Sequence, residues 1–352
     1  MATFLNPYYG LLALLVALIY PYEHADEKNK RRMMWLLLAL FTLFFGLRGN
    51  VGDDYHYYHN MYNHEAFFHL ASMPLFALAM EAFKALHIPF EGFIFACSCL
   101  INALLFRFMS RQPGNLPFLL SIFVGLSGVV NEIDFIRNTI SILLFANSWY
   151  YIQQQQPRQF YLLNIAGALV HYSALVYLPF YYLARKTLSP KVYLGIILGG
   201  VVIYFLYIPF LHIIPQIFDH ENEFTKHVYT YIHTYTRAMG FTIAFVERLL
   251  TALLIYLFYE ELLQDRISRT AVYAFVLYFI SYTLLSNYAI LGTRVANLFI
   301  PCYWVLWPAL LRRLEGSLVR TCALGAIYFY LILRLLTISL MPQWHYTTIF
   351  GA

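Results

Sequence analysis

The chain has 352 residues, of which 61% are hydrophobic and only 12% charged. Soluble domains carry about 25% charged residues, so a soluble enzyme is excluded and an all-α, polytopic integral membrane protein is expected. The net charge of +5 is small and scattered, which argues against nucleic-acid binding and fits loops facing anionic lipid.

Apolar runs fall at about 4–22, 34–48, 71–86, 92–109, 116–131, 134–152, 159–183, 192–212, 242–262, 270–290, 295–311 and 318–340. They predict about 10–12 transmembrane or re-entrant helices in a single transmembrane domain over 1–352. The first run has no basic residue before it, and Lys28, Lys30, Arg31 and Arg32 follow it. That is the reverse of a cleavable signal peptide, so a retained span with its N-terminus outside is expected.

Later basic groups can share the cytoplasmic side of that first loop: Arg107 with Arg111, Arg158, Arg185 with Lys186, Arg266 with Arg269, and Arg312 with Arg313. Two adjustments are needed. The run 71–86 carries Met73-Pro74, Glu81 and Lys84 and is expected to be interfacial or re-entrant. The run 159–183 has basic residues at both ends, so a bent hairpin around His171-Tyr172-Ser173 is expected. The outward loops are then about 48–70, 131–134, 213–241 and 287–294, with the C-terminus outside as well. The longest, with Asp219, Glu221, Glu223, Lys226, Tyr229, Tyr231 and Tyr235, is expected to lie over the outer face as an amphipathic segment.

Residues 47–62 read LRGNVGDDYHYYHNMY and put an arginine and two carboxylates on the face where positive charge is normally scarce. Arg48, Arg137 and Arg294 each fall at an outer end of a span. Such cations are costly unless paired or needed for an anion. Salt bridging (Arg48 with Asp53 or Asp54, Arg137 with Glu132 or Asp134) is one explanation. An anionic ligand gripped by planar guanidinium forks is the other.

Asp53 and Asp54 follow two glycines that permit tight turns and close approach of a ligand. Either carboxylate can serve as a general base or as a helix N-cap before Tyr55. His171, deep in an apolar run, can donate a hydrogen bond or act as a base, or can be a satisfied interior group. The row His56, His59, His64 and His69 has no tight i, i+4 ligand pair, so no metal site is expected. The thirty-one tyrosines suit interfacial belts and also stacking on sugar faces. Cys97, Cys99, Cys302 and Cys322 lie in apolar runs and suggest neither a disulfide nor a metal centre.

Taken in order, Arg48…Gly52-x-Asp54-Tyr55-x-x-Tyr58, Arg137 at the head of an apolar helix, His171-Tyr172-Ser173, and Arg294 before a late span resemble the EpsG-like branch of Wzy-type polysaccharide polymerases. The likeness runs from about 34 to 311. Members often show R-Q where this chain has Arg137-Asn138, and an aromatic residue where Val295 follows Arg294.

The resemblance implies a polymerase of O-antigen or exopolysaccharide repeat units at the outer face of a bacterial inner membrane. It would move a glycan from one undecaprenyl-pyrophosphate carrier onto another lipid-linked repeat unit, inverting the anomeric centre, with no cofactor or metal. Asp54, His171 and Arg137 would be catalytic, with the base open between Asp54, His171 and Glu132. Arg48, Arg294, Asp53, Tyr58 and Glu132 would bind substrate. The partners implied are lipid-linked oligosaccharides, membrane lipid and a chain-length regulator protein. The rivals are an O-antigen ligase-type glycosyltransferase, a flippase or transporter of lipid-linked oligosaccharide, and a membrane acyltransferase built on the buried histidine.

Overall fold

A computed structural model of the chain describes residues 6–65, 73–208 and 238–351. The expected amphipathic loop at 213–241 lies almost entirely outside the described residues, as do the start of the first run and His69. Every regular element among the described residues is helical, and isolated β-bridges pair Thr348 with Arg48 and with Gly351.

In chain order the helices are α1 (Pro7–His24), α2 (Glu27–Gly46), α3 (Tyr55–Asn60), α4 (Pro74–Ala85) and α5 (Phe90–Met109). There follow α6 (Leu116–Ile133), α7 (Ile136–Gln153), α8 (Pro157–Val170), α9 (Pro190–Leu206) and α10 (Ile243–Leu257). The last five are α11 (Tyr259–Gln264), α12 (Arg266–Leu284), α13 (Ala289–Asn297), α14 (Pro301–Arg313) and α15 (Ser317–Ser339). Short polar residues followed by proline start several of them. Asn6 accepts from the Tyr8 amide ahead of Pro7, and Ser189 accepts from Val192 N ahead of Pro190. Proline supplies a preset φ where no amide donor is needed, and the side chain satisfies an orphan N–H.

Four helices, α5, α6, α12 and α15, are by themselves long and apolar enough to cross a membrane. The pair α13 and α14, bent by 69°, makes up to five if counted as one broken span. The other helices among the described residues are shorter or carry polar ends, as α2 does with its basic first turns. The protein is therefore an all-α, multi-pass membrane protein.

The chain divides into two compact units, residues 1–181 with 314–352, and residues 182–313. In the first unit α2 packs on α5, α1 on α6, and α7 on both α5 and α8. The hairpin expected at His171 is present. Helix α8 stops there because His171 turns extended (φ −153°, ψ 121°), and a 3₁₀ turn at Tyr172–Tyr177 leads the chain back. Tyr181 then lies beside Phe160 and Tyr161, and Tyr177 stacks on Phe145 of α7 at 3.9 Å. The expected re-entrant run at 71–86 is the twelve-residue α4, which packs on α8.

In the second unit α9 and α14 both pack on α12. One boundary differs from expectation. An outward loop was expected at 287–294 and an apolar run at 295–311, whereas α13 already begins at Ala289 and the chain bends between Asn297 and Pro301. Proline fits the first turn of the second helix and cannot continue the first.

Candidate active site

Asn6, Arg48, Asp134 and the C-terminal segment meet at one end of the first unit. The side chain of Asn6 donates to Trp344 O, and Arg48 pairs through its backbone with Thr348. Residues 47–54 form an irregular turn there between α2 and α3.

Arg48 is 4% exposed. Its guanidinium donates to Phe45 O in the last turn of α2, to Ser98 Oγ at 3.4 Å and to Ile133 O at 3.3 Å. It thus ties together α2, α5 and the end of α6. No carboxylate lies within 4.0 Å of it among the described residues, so neither expected salt bridge, to Asp53 or to Asp54, is formed. Capping carbonyls at a helix C-terminus with a cation is favourable. Glu132 is also sealed inside. It is 0% exposed, both carboxylate oxygens lack a hydrogen-bond partner, and Arg48 is the charge that acts on it. Both groups were expected to face a ligand, and both lie beneath the surface as buried ionisable groups, for which a charge is costly to remove from water.

Asp134 sits in the junction between α6 and α7 and organises the turn. Its Oδ1 accepts from the Asp54 backbone N–H at 3.2 Å. Gly52 lies so close that a β-carbon there would come within 2.2 Å of Asp134 Oδ1, and its φ of +96° is one that side-chain-bearing residues avoid. Burial, opposed by backbone amides and reinforced by Asp54 and Asp53, pushes the Asp134 carboxyl up to about 7. Asp54 occupies the N-cap position of α3, but its side chain makes no capping bond.

Tyr58 connects this turn to Arg137. Its hydroxyl donates to Asp134 O at 3.0 Å and accepts from Arg137 Nε at 3.4 Å. It is 2% exposed, so it orients the arginine and offers no open face to a sugar. Burial pushes its phenol up, which keeps it a donor. Arg137, half-buried at the head of α7, lies over the rings of Tyr57 and Tyr58 at 5.4 and 5.2 Å and directs Nη1 to Met73 Sδ at 2.9 Å. It forms no ion pair with Glu132 or Asp134. A guanidinium held by ring faces and a thioether keeps its charge uncompensated at contact distance, the state an anion-binding arginine requires.

His171 is linked through Ser173 to Asn138, the residue after Arg137. Its Nδ1 contacts Ser173 Oγ at 2.8 Å and accepts from Ser173 N at 3.2 Å, and Ser173 Oγ donates to Asn138 Oδ1 at 3.1 Å. Asn138 follows Arg137 directly. Asp53 is exposed and accepts from Gln343 Nε2 at 2.8 Å. The first unit therefore brings Asp53, Asp54, Tyr58 and Arg137 into one cluster, with His171 beside it. Arg294 is exposed in the last turn of α13 and belongs to the second unit.

Several groups were not singled out from sequence. Met73, Tyr57 and Gln343 contact the cluster, Asn138 and Ser173 appeared only as neighbours of Arg137 and His171, and Asp134 appeared only as a salt-bridge partner. Three further charged residues lie inside apolar helices. Arg248 and Glu247 in α10 are close at 3.7 Å, and the arginine lies 4.1 Å over the Tyr282 ring. Arg334 in α15 has its Nε buried with no acceptor among the described residues. A charge inside an apolar run was the available signal for all three.

Among the described residues no group of three or more His, Cys, Asp or Glu side chains is placed to hold a metal ion. His56 and His59 contact Asn50 and Asn63 instead. All four cysteines are free thiols, Cys322 on an exposed surface.

Comparison with curated proteins and with solved structures finds no match for the chain. One family model does match, over residues 31–348 and therefore over nearly the whole chain: the chain belongs to the EpsG family, a family of Wzy-like polymerases.

Proposed function

We propose that this protein polymerises lipid-linked saccharide repeat units, transferring a glycan from an undecaprenyl-pyrophosphate carrier onto the end of a second lipid-linked unit at the outer face of a bacterial inner membrane. The carrying observation is Arg137, a guanidinium held by Tyr57, Tyr58 and Met73 with no carboxylate partner among the described residues, and tied by Tyr58, one helical turn after Asp54, to the turn that bears two aspartates. Family membership supplies the reaction class.

The chemistry runs as one displacement. The acceptor hydroxyl oxygen forms a bond to the anomeric carbon while the bond from that carbon to the pyrophosphate oxygen breaks. The electron pair leaves with undecaprenyl pyrophosphate, and the hydroxyl proton passes to the Asp54 carboxylate. A single displacement inverts the anomeric centre. Negative charge grows on the departing phosphate oxygen, and a preoriented guanidinium at that point stabilises the transition state more than the ground state. Asp53 holds acceptor hydroxyls, and His171, fixed by Ser173 and Asn138, hydrogen-bonds the saccharide. Arg48 acts from inside, by holding the ends of α2 and α6, and Glu132 is the buried carboxyl that faces its charge. A chain-length regulator is the protein partner this reading calls for.

The test uses purified protein in lipid nanodiscs with a synthetic undecaprenyl-pyrophosphate repeat unit. A ladder of saccharide lengths is expected. Transfer of the unit only to a lipid A core would instead identify a ligase. Movement of the lipid across a bilayer with no change of length would identify a flippase.

A further inference from the structure

The C-terminal segment after α15 does more than end the chain. It runs along the turn that carries Asp53 and Asp54 and meets it through the backbone at three points. Gly52 N donates to Gln343 O at 2.8 Å, Gly49 N to Thr347 O at 2.9 Å, and Ile349 N to Leu47 O at 3.0 Å. Gly49 is required by this approach, since a β-carbon there would lie 2.8 Å from Thr348 O. The segment is itself anchored. Tyr346 donates to Phe44 O at 2.6 Å, and its ring stacks on Phe44 with centroids 4.6 Å apart. Trp344 is 4% exposed.

Against this backbone frame one contact between the segment and the turn is made by two exposed side chains, Gln343 Nε2 to Asp53 Oδ1 at 2.8 Å. An exposed hydrogen bond contributes little to stability, and the three backbone bonds already hold the segment in place. What the amide adds is direction. It fixes the rotation of the Asp53 carboxylate about its own stem, next to the residue assigned as base.

We propose that Gln343 is a positioning residue for the transfer reaction: its amide orients Asp53 so that the carboxylate meets the acceptor hydroxyls in one geometry. This rests on the polymerase reading above and adds to it a residue about 290 positions away in sequence. The interaction is a hydrogen bond to a charged group, whose loss in an oriented site is worth about a tenfold change in rate.

The experiment compares wild type with Gln343→Ala and Gln343→Glu in nanodiscs, reading ladder growth at saturating lipid-linked repeat unit across pH. Thermal unfolding and carbodiimide labelling of Asp53, read by mass spectrometry, are measured in parallel. Gln343→Ala is expected to slow growth about tenfold with its unfolding temperature unchanged, and to raise Asp53 labelling. Gln343→Glu is the same size but faces one carboxylate with another. It is expected to be as slow as Gln343→Ala at neutral pH and to recover as the pH falls, because a proton shared by the two carboxylates restores a donor. A merely structural role would give no such recovery. Wild-type rates and unchanged Asp53 labelling in Gln343→Ala would overturn the proposal, as would a Gln343→Glu pH profile parallel to that of Gln343→Ala. Absence of a ladder from wild type, with Asp53 labelling still raised in Gln343→Ala, would sink the polymerase reading and leave the orienting contact standing.

Discussion

Replacing Gly52 by alanine isolates the joint on which the candidate site is hung. Two costs act together. Forcing a β-carbon onto a backbone at φ +96° costs about 1–3 kcal/mol. The new carbon would also lie 2.2 Å from Asp134 Oδ1 and 2.6 Å from Ile133 Cγ2, so the carboxylate must move and its bond from Asp54 N is lost, a further 1–3 kcal/mol or about that. The sum is roughly 2–6 kcal/mol, large for any single change. Gly10 in α1 is the control, because a β-carbon there meets nothing within 4 Å and alanine favours a helix by up to about 1 kcal/mol. Thermal unfolding followed by tryptophan fluorescence suits the comparison, since Trp344 is buried next to the turn. Gly52→Ala is expected to melt several degrees below wild type, with ladder formation lost, while Gly10→Ala melts at or above it. Coincident unfolding curves for the two variants would refute the close approach of Gly52 to Asp134.

The remaining predictions concern neighbours of that joint. Folding raises the Asp134 carboxyl from 3.8 to about 7, so the folded state binds more protons than the unfolded state between those values. Stability should therefore fall as pH rises through that window and level off above about 7. The slope should flatten in Asp134→Asn, and an equal slope would show that Asp134 is not the titrating group. Tyr58→Phe removes the link between Asp134 O and Arg137 Nε; it is expected to slow ladder growth about tenfold or more with a modest loss of stability, and an unchanged rate would deny that Tyr58 orients the arginine. Ser173→Ala should weaken catalysis and Ser173→Thr should restore it, because a hydroxyl joining His171 to Asn138 is what the position supplies. Equal activity of the two variants would remove the histidine from the site.

Much of the fold could be read locally, and the reasons are physical. Apolar runs report burial in lipid or protein without regard to partners, so the spans and the hairpin at His171 were visible. Basic residues at both ends of 159–183 forced a turn-back, and the ring contact of Tyr161 with Tyr181 records it. Arg137 stood out because a cation at the head of an apolar helix needs a reason to be there. What could not be read was long-range. Whether Arg48 meets Asp53, a ligand or a set of carbonyls depends on Ser98 and Ile133, about 50 and 85 positions away. The glycines of the turn suggested ligand approach, yet the chain itself fills the space, with Thr348 against Gly49 and Asp134 against Gly52. Tyr58 shows the same limit, since a tyrosine that grips sugar and one that steers an arginine look alike in sequence. The bend between Asn297 and Pro301 lay inside an apolar run whose one sign of a change in direction was Pro301 itself.

The central claim is that Arg137 stabilises the departing pyrophosphate, and ladder formation by Arg137→Lys tests it most directly. Lysine keeps the charge but loses the planar fork that Tyr58 and the ring faces orient. The account predicts a folded protein with wild-type unfolding behaviour and ladder growth slowed by at least about a hundredfold. A ladder of wild-type rate and length from Arg137→Lys would contradict it.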